Sequence, residues 1–336
     1  MNEQRGHVRG FARAALVLLV AAISLLSGCR NASGQTSNVV RIGYFANATH
    51  AQAVLGVASG DFARAVAPAK LETRVFNAGP SLIEALFAGE IDIGYVGPGP
   101  VISAHRKSRG EGIRVIAGAA GNGVVIVARK GSGIASVADL AGRRVATPQL
   151  GNTQDISARH FLSKMNADLR NVIPIENAQQ AQLLTRGEVD AAWVPEPWGE
   201  RLVVETGATL VAEEKDLWPN REFALTVVVT TPEFLAKRPD VVRSVLGVHR
   251  AWTKKLVDAP ADHVPALGDA LFALTGKRLP EGVLPAAMKR VKLSDAIHDE
   301  TLRTFAAWTH DLGFEKRAID TNGLVDTTIL RALEAE

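Results

Sequence analysis

The chain has 336 residues, enough for two ordinary domains or one large one, and its 47% hydrophobic and 22% charged content is that of a globular protein. The isoelectric point of about 9.1 suggests a basic protein. Yet Arg5, Arg9 and Arg13 against Glu3 supply +2 of the formal net charge of +3. The remainder offers no concentrated basic patch for nucleic acid, and an aromatic content of 5% leaves little surface for stacking bases.

In chain order, the first predicted element is an export signal over residues 1–28. A basic stretch ending at Arg13 precedes an uncharged run from Ala14 to Gly28. Fifteen residues rise ~22 Å as a helix, short of the ~30 Å hydrocarbon core, so a signal peptide is favoured over a membrane span. The run closes on "LSGC", Leu26 to Cys29, which resembles the lipobox of bacterial lipoproteins. Cys29 is then the lipidation position, and as the single cysteine it has no partner for an intrachain disulfide. Residues 29–38 read as the lipidated cysteine and a flexible tether.

Short apolar strands then alternate with helical patterns. "VVRIGYF" (39–45), "LETRVF" (71–76) and "EIDIGYV" (90–96) read as strands, with helices over 49–60, 81–89 and from about Pro100. "GIRVIAG" and "GVVIVAR" follow as strands. The pattern restarts with a strand over 142–148, a helix over 153–165, "VIPI", a helix over 178–187 and the strand "EVDAAWV" (188–194). Thr49 with Gln52, Ser81 with Glu84 and Asn177 with Gln180 fit capping boxes. "LFAGEIDIGYVGPGP" (86–100) lies in register over "LTRGEVDAAWVPEPW" (184–198), which points to two related α/β lobes. After residue 222 come one more strand and a long helix, with Thr231 as cap and Pro232 at its first position. Residues 260–336 read as helical pieces broken by Pro280, Gly313 and Gly323.

Taken together, the lipobox, "FNAGPSLIEALFAGEIDIGYVGPGP", "SVADLAGRRVATPQLGNT" and "GEVDAAWVPEPW" resemble the aliphatic sulfonate/nitrate/taurine group of periplasmic substrate-binding proteins. These are the capture subunits of ABC importers. The resemblance implies an α/β, two-lobed, type II-like periplasmic-binding-protein fold. Each lobe is expected to be a mostly parallel sheet flanked by helices, with two hinge crossings. Lobe one is placed at 39–123 plus 222–336 and lobe two at 124–221. The implied partners are a small organic anion, an ABC permease in the inner membrane and a lipid anchor on the periplasmic face of the envelope. A monomer is expected, with no nucleic acid and no cofactor. Relatives that bind sulfonates commonly carry Ser/Thr-rich residues and often His where this chain has "GNTQD", and an acidic residue near Pro98. Nitrate, taurine, a carboxylate, a thiamine-precursor pyrimidine and a sensor role therefore stay open beside an alkanesulfonate.

In open sheets of this kind ligands sit beyond the carboxyl ends of the strands. Five such ends here are rich in small polar residues and run into predicted helix starts, whose free N–H groups suit an anion. They are "ANATH" (46–50), "NAGPS" (77–81), "GPGP" (97–100), "PQLGNTQ" (148–154) and "VPEP" (194–197). The candidate ligand-binding residues are Asn47, Thr49, His50, Gly79, Pro80, Ser81, Gly97, Asn122, Gln149, Asn152, Thr153, Gln154, Trp193 and Glu196. Glu196 is the odd member, since a carboxylate repels an anion. It suits an ion pair across the lobes, a helix cap, or the amine of a zwitterion such as taurine.

Catalytic motifs are not in view. "GPGPVI" lacks the third glycine of a dinucleotide loop, and "LTGKR" lacks the Walker A spacing. There is no G-x-S-x-G and no H-E-x-x-H, and the eight histidines are scattered. A pyrimidine synthase of thiamine biosynthesis shares the expected fold, but that family uses a cysteine-rich motif and a metal, which this sequence does not offer.

Overall fold

Eleven strands form two sheets in the computed structural model, which describes residues 38–336. The expected export signal, the tether and Cys29, the expected lipidation position, lie outside the described residues. The strands are β1 (Val39–Phe45), β2 (Lys70–Phe76), β3 (Ile93–Val96), β4 (Arg114–Asn122), β5 (Val124–Ala128) and β6 (Val145–Thr147). They continue with β7 (Val172–Pro174), β8 (Ala191–Pro195), β9 (Thr209–Glu213), β10 (Ala224–Thr230) and β11 (Val291–Leu293). The first sheet has the order β11-β4-β10-β3-β1-β2 and the second β7-β6-β8-β5-β9.

Both sheets are mixed, not mostly parallel. β1 pairs in parallel with β2 and β3, and β6 with β7 and β8. β10 runs antiparallel to β3 and β4, and β5 antiparallel to β8 and β9. The cause is the route of the chain. β5 and β10 are the strands entered directly after the chain has passed from one sheet to the other. They start at the end where their parallel neighbours finish, so they run the opposite way. The first passage is the single residue Gly123 at φ 68°, where an added Cβ would also press on Val291 at 2.8 Å. The second spans residues 214–223. The two lie side by side, because the Asn122 N–H donates to the Phe223 carbonyl at 3.1 Å.

The internal match has a structural counterpart. Asp92 accepts from the Arg41 N–H at 2.8 Å beside β1, and Asp190 accepts from the Arg144 N–H at 3.1 Å beside β6. Gly89 and Gly187 both stand at positive φ just before these turns. The paired aromatics Tyr95 and Trp193 are both fully buried. Each repeat thus uses the same device: a glycine ends the helix, and a carboxylate pins the backbone of the neighbouring strand.

Local details depart from the capping expectations. Thr231 caps its helix, accepting from the Phe234 N–H at 3.1 Å. Thr49 lies in a 3-10 turn, Ser81 lies inside the helix Gly79–Phe87, and Asn177 is the first residue of its helix Asn177–Arg186, so none of the three is a capping box. The segment after 260 is helical but also holds β11 on the edge of the first sheet. Among the described residues no helix is long and apolar enough to cross a membrane.

Candidate functional site

The carboxyl ends of β1, β2, β3, β6, β7 and β8 converge on one small cavity of about 20 Å³. Its wall holds Asn47, Thr49 and His50 after β1, Asn77 after β2 and Gly97 after β3. From the second sheet come Pro148, Asn152, Thr153 and Gln154 after β6, Asn177 after β7 and Pro195 of β8. Phe45, Leu225 and Thr226 complete it, and none of the lining residues is Asp, Glu, Lys or Arg. Gly97 and Pro195 are equivalent positions of the internal repeat, so the two halves present matching loops from opposite sides.

The two sheets touch at the cavity. Thr153 begins the helix Thr153–Ser163, and its hydroxyl accepts from the Gly99 N–H at 3.2 Å at the start of the helix Pro98–Lys107. The Trp198 indole donates to Asn47 Oδ1 at 2.8 Å. Asn152 caps the Thr153 helix with its side-chain oxygen, which leaves its NH₂ group as a donor. The loop before it is held by Asp155, which is fully buried. Asp155 accepts from Thr147 Oγ1 at 2.9 Å and from the Gly151 N–H at 3.0 Å, and pairs with Arg159 at 3.0 Å. The one acid of this stretch is therefore spent on positioning the loop.

His50 stacks on Phe45 with ring centroids 4.4 Å apart, and its Nδ1 faces the Phe45 N–H at 3.3 Å. An acceptor at Nδ1 puts the ring proton on Nε2. Burial pushes its pKa down to about 3, so the ring is neutral at ordinary pH and offers an N–H without a charge. An anion here meets neutral donors: hydroxyls, amides and one imidazole N–H.

Of the residues singled out from sequence, Asn47, Thr49, His50, Gly97, Asn152, Thr153 and Gln154 line this cavity. The others have different neighbours. Gly79 and Pro80 open the helix Gly79–Phe87, where a Cβ on Gly79 would strike Pro100 at 2.3 Å. Ser81 donates its hydroxyl to the Ala78 carbonyl at 2.9 Å. Asn122 stands at the first passage between sheets, and Gln149 holds a buried side-chain oxygen without a protein partner. Glu196 is fully buried and accepts from Arg290 at 2.7 Å and from the Glu200 N–H at 3.0 Å, so it is both cap and ion pair. Trp193 is core. It packs parallel to Phe161, and its indole donates to Glu214 at 2.6 Å. The lining residues Asn77, Asn177 and Thr226 were not among the candidates. Asn77 and Asn177 follow strands and obey the same strand-end rule, whereas Thr226 lies inside a strand and carries no sequence signal.

Glu214, 1% exposed, also accepts from the Trp218 indole at 3.1 Å. Burial pushes its carboxyl up to about 7, against the indole hydrogen bonds, which pull it down. A group protonated in the folded chain and ionised in the unfolded one stabilises the fold fully below its ordinary 4.5, and this contribution is lost as pH rises through about 7. The gap is worth about 3 kcal/mol. Buried His50 and His249, lowered to about 3 and about 4, act with the opposite sign and cost stability as pH falls below 6.5. The expected result is therefore a difference: the stability gap between wild type and Glu214→Gln changes by about 2–3 kcal/mol in urea melts between roughly pH 5 and pH 8. A constant gap would show that Glu214 does not titrate there.

A family model described as NMT1-like matches residues 33–263. The chain belongs to the NMT1-like family. It is 26% identical over 236 residues to the taurine-binding periplasmic protein of Escherichia coli K12, covering 66% of this chain and 68% of that one. It is 29% identical over 181 residues to a binding protein of Brucella abortus, and spans about half the length of that relative (54%) and 53% of its own. In structure it resembles the alkanesulfonate-binding protein of Xanthomonas axonopodis pv. citri bound to MOPS. The TM-score is 0.71 at 20% identity, over 86% of this chain and 98% of that one. The nitrate-binding periplasmic protein of Synechocystis PCC 6803 gives a TM-score of 0.75 at 14% identity, over 89% of each. At these identities the likeness is one of fold, and the fold is that of the periplasmic binding proteins. All four are binding proteins by name.

Proposed function

We propose that the chain is the solute-binding component of an ABC importer, capturing a small organic anion in the cleft between two lobes. A lobe of 39–123 with 222–336 would close on a lobe of 124–221. The observation that carries this reading is the cavity at the converging strand ends, walled from both sheets by neutral donors and free of acidic side chains. Binding at micromolar strength takes about 8 kcal/mol, and hydrogen bonds to a charged group contribute roughly 1.5–3 kcal/mol each, so four or five suffice before association costs. An aliphatic sulfonate fits best. The wall of the polar cavity itself holds no carboxylate for the amine of taurine, and Glu196, which lies outside that wall, is engaged by Arg290. The protein makes and breaks no bonds, and it works as a monomer with a permease of the inner membrane.

A thermal-shift panel of alkanesulfonates, taurine, nitrate, bicarbonate and carboxylates tests this. A bound ligand at about a hundred times its Kd adds ~2.7 kcal/mol. Stabilisation by sulfonates is expected, and a panel in which only nitrate, bicarbonate or a carboxylate stabilises would replace them. The lipid anchor belongs to the same reading and rests on "LSGC". Labelled fatty acid should attach to the wild type and not to Cys29→Ala, and label on that variant would refute the anchor.

A further inference from the structure

We infer that the ligand carries an extended apolar tail, housed in a second chamber that adjoins the polar cavity; this rests on the anion reading above. The chamber has a volume of about 270 Å³, against about 20 Å³ for the cavity. Asn47, Asn77 and Asn177 border both spaces, so the two adjoin across three shared amides. On the chamber side of those amides the character changes. Val75, Phe76, Trp198, Leu271, Leu274 and Leu279 line the chamber. Val75 and Leu274 are 39% and 38% exposed, apolar side chains left in water on the wall of a pocket. A concave wall with apolar side chains of this kind is what organic-ligand pockets present.

Three charged residues, Glu176, Arg201 and Lys277, also border the chamber, and Glu176 and Lys277 are solvent-exposed. Arg201, on its wall, is engaged by Glu205 at 2.7 Å, with its guanidinium over the Trp198 ring. The three leucines come from residues 271–279, beyond the 33–263 matched by the family model, so this wall is supplied by the part of the chain that the family pattern does not describe. The volume lies just under the ~300–1,000 Å³ usual for organic-ligand pockets, which suits a chain of several carbons and is far more than nitrate or methanesulfonate would fill.

The test is calorimetric titration of methane-, butane- and octanesulfonate into the wild type, Val75→Ser and Leu274→Ser. Each buried methylene improves affinity by about fourfold at most, so the wild type should bind octanesulfonate more tightly than methanesulfonate by well over a hundredfold. Both variants should weaken octanesulfonate by about tenfold while leaving methanesulfonate within about twofold. A flat wild-type series overturns the tail and leaves the anion reading standing. Equal weakening of the short and long sulfonates in both variants also overturns it, since the residues would then act on the fold and not on the tail. Binding of none of the three removes the sulfonate reading and the inference with it.

Discussion

Replacing Arg290 with methionine is expected to lower the unfolding free energy by about 3–5 kcal/mol, the usual cost of leaving one partner of a buried ion pair alone. Arg290 directly precedes β11 of the first sheet, and Glu196 directly follows β8 of the second. Its guanidinium reaches Glu196 at 2.7 Å and Glu200 at 2.6 Å. Burial raises the Glu196 carboxyl, and the Glu200 N–H and Arg290 oppose that rise. Without Arg290 the carboxylate has one backbone N–H and a neighbouring acid, so it takes up a proton or drags water in. Urea melting of Arg290→Met measures the cost. Adding Glu196→Gln should recover part of it, because a neutral amide needs no counter-ion. A loss below about 1 kcal/mol would place the pair with ordinary surface salt bridges.

Gly97→Val is expected to weaken ligand binding by about a hundredfold or more, with little loss of stability. Gly97 sits at φ −79°, where any residue is comfortable, so the backbone gives no reason for glycine. The reason lies across the cleft. An added Cβ would stand 2.1 Å from Thr153 Oγ1 and 3.1 Å from Thr153 Cβ, besides lying 3.2 Å from the Leu225 carbonyl oxygen on the neighbouring strand β10 of its own sheet. The valine methyls lengthen that reach and hold the first helix turns of the two sheets apart. Titration with an alkanesulfonate reads the loss, and small-angle scattering should report a larger radius for the variant. Wild-type affinity in Gly97→Val would mean that ligand binding does not require this contact.

Much of the fold was legible because each unit carries its own signals. The glycine that ends a helix and the aspartate three residues later mark the same strand turn in both halves, and the structure shows why: Asp92 and Asp190 hold the adjacent strand. The directions of β5 and β10 were not legible, since "GVVIVAR" and "ALTVVVT" read alike whichever way they run. β11 is three residues long, too short for any alternation to register. In the site, polar residues after strands mark Asn47, Thr153 and their neighbours, because Asn152 supplies the cap of its helix and the polar groups beside it face the cavity. Trp193 fails the same rule because its ring is turned into the core by Glu214, 21 residues on. Glu196 fails it because its partner Arg290 is 94 residues away, in a segment that the internal repeat does not reach.

Calorimetric titration of an alkanesulfonate into Thr153→Ala, with urea melting of the same variant, bears most directly on the claim that neutral donors at facing helix starts hold the ligand. The hydroxyl bridges to the Gly99 N–H and faces the cavity. The expected result is a roughly ten- to hundredfold loss of affinity with a stability loss no larger than ~0.5–2 kcal/mol. Unchanged affinity in Thr153→Ala, and likewise in Asn152→Ala and Gln154→Ala, would mean that the stretch only caps its helix and that the ligand binds elsewhere.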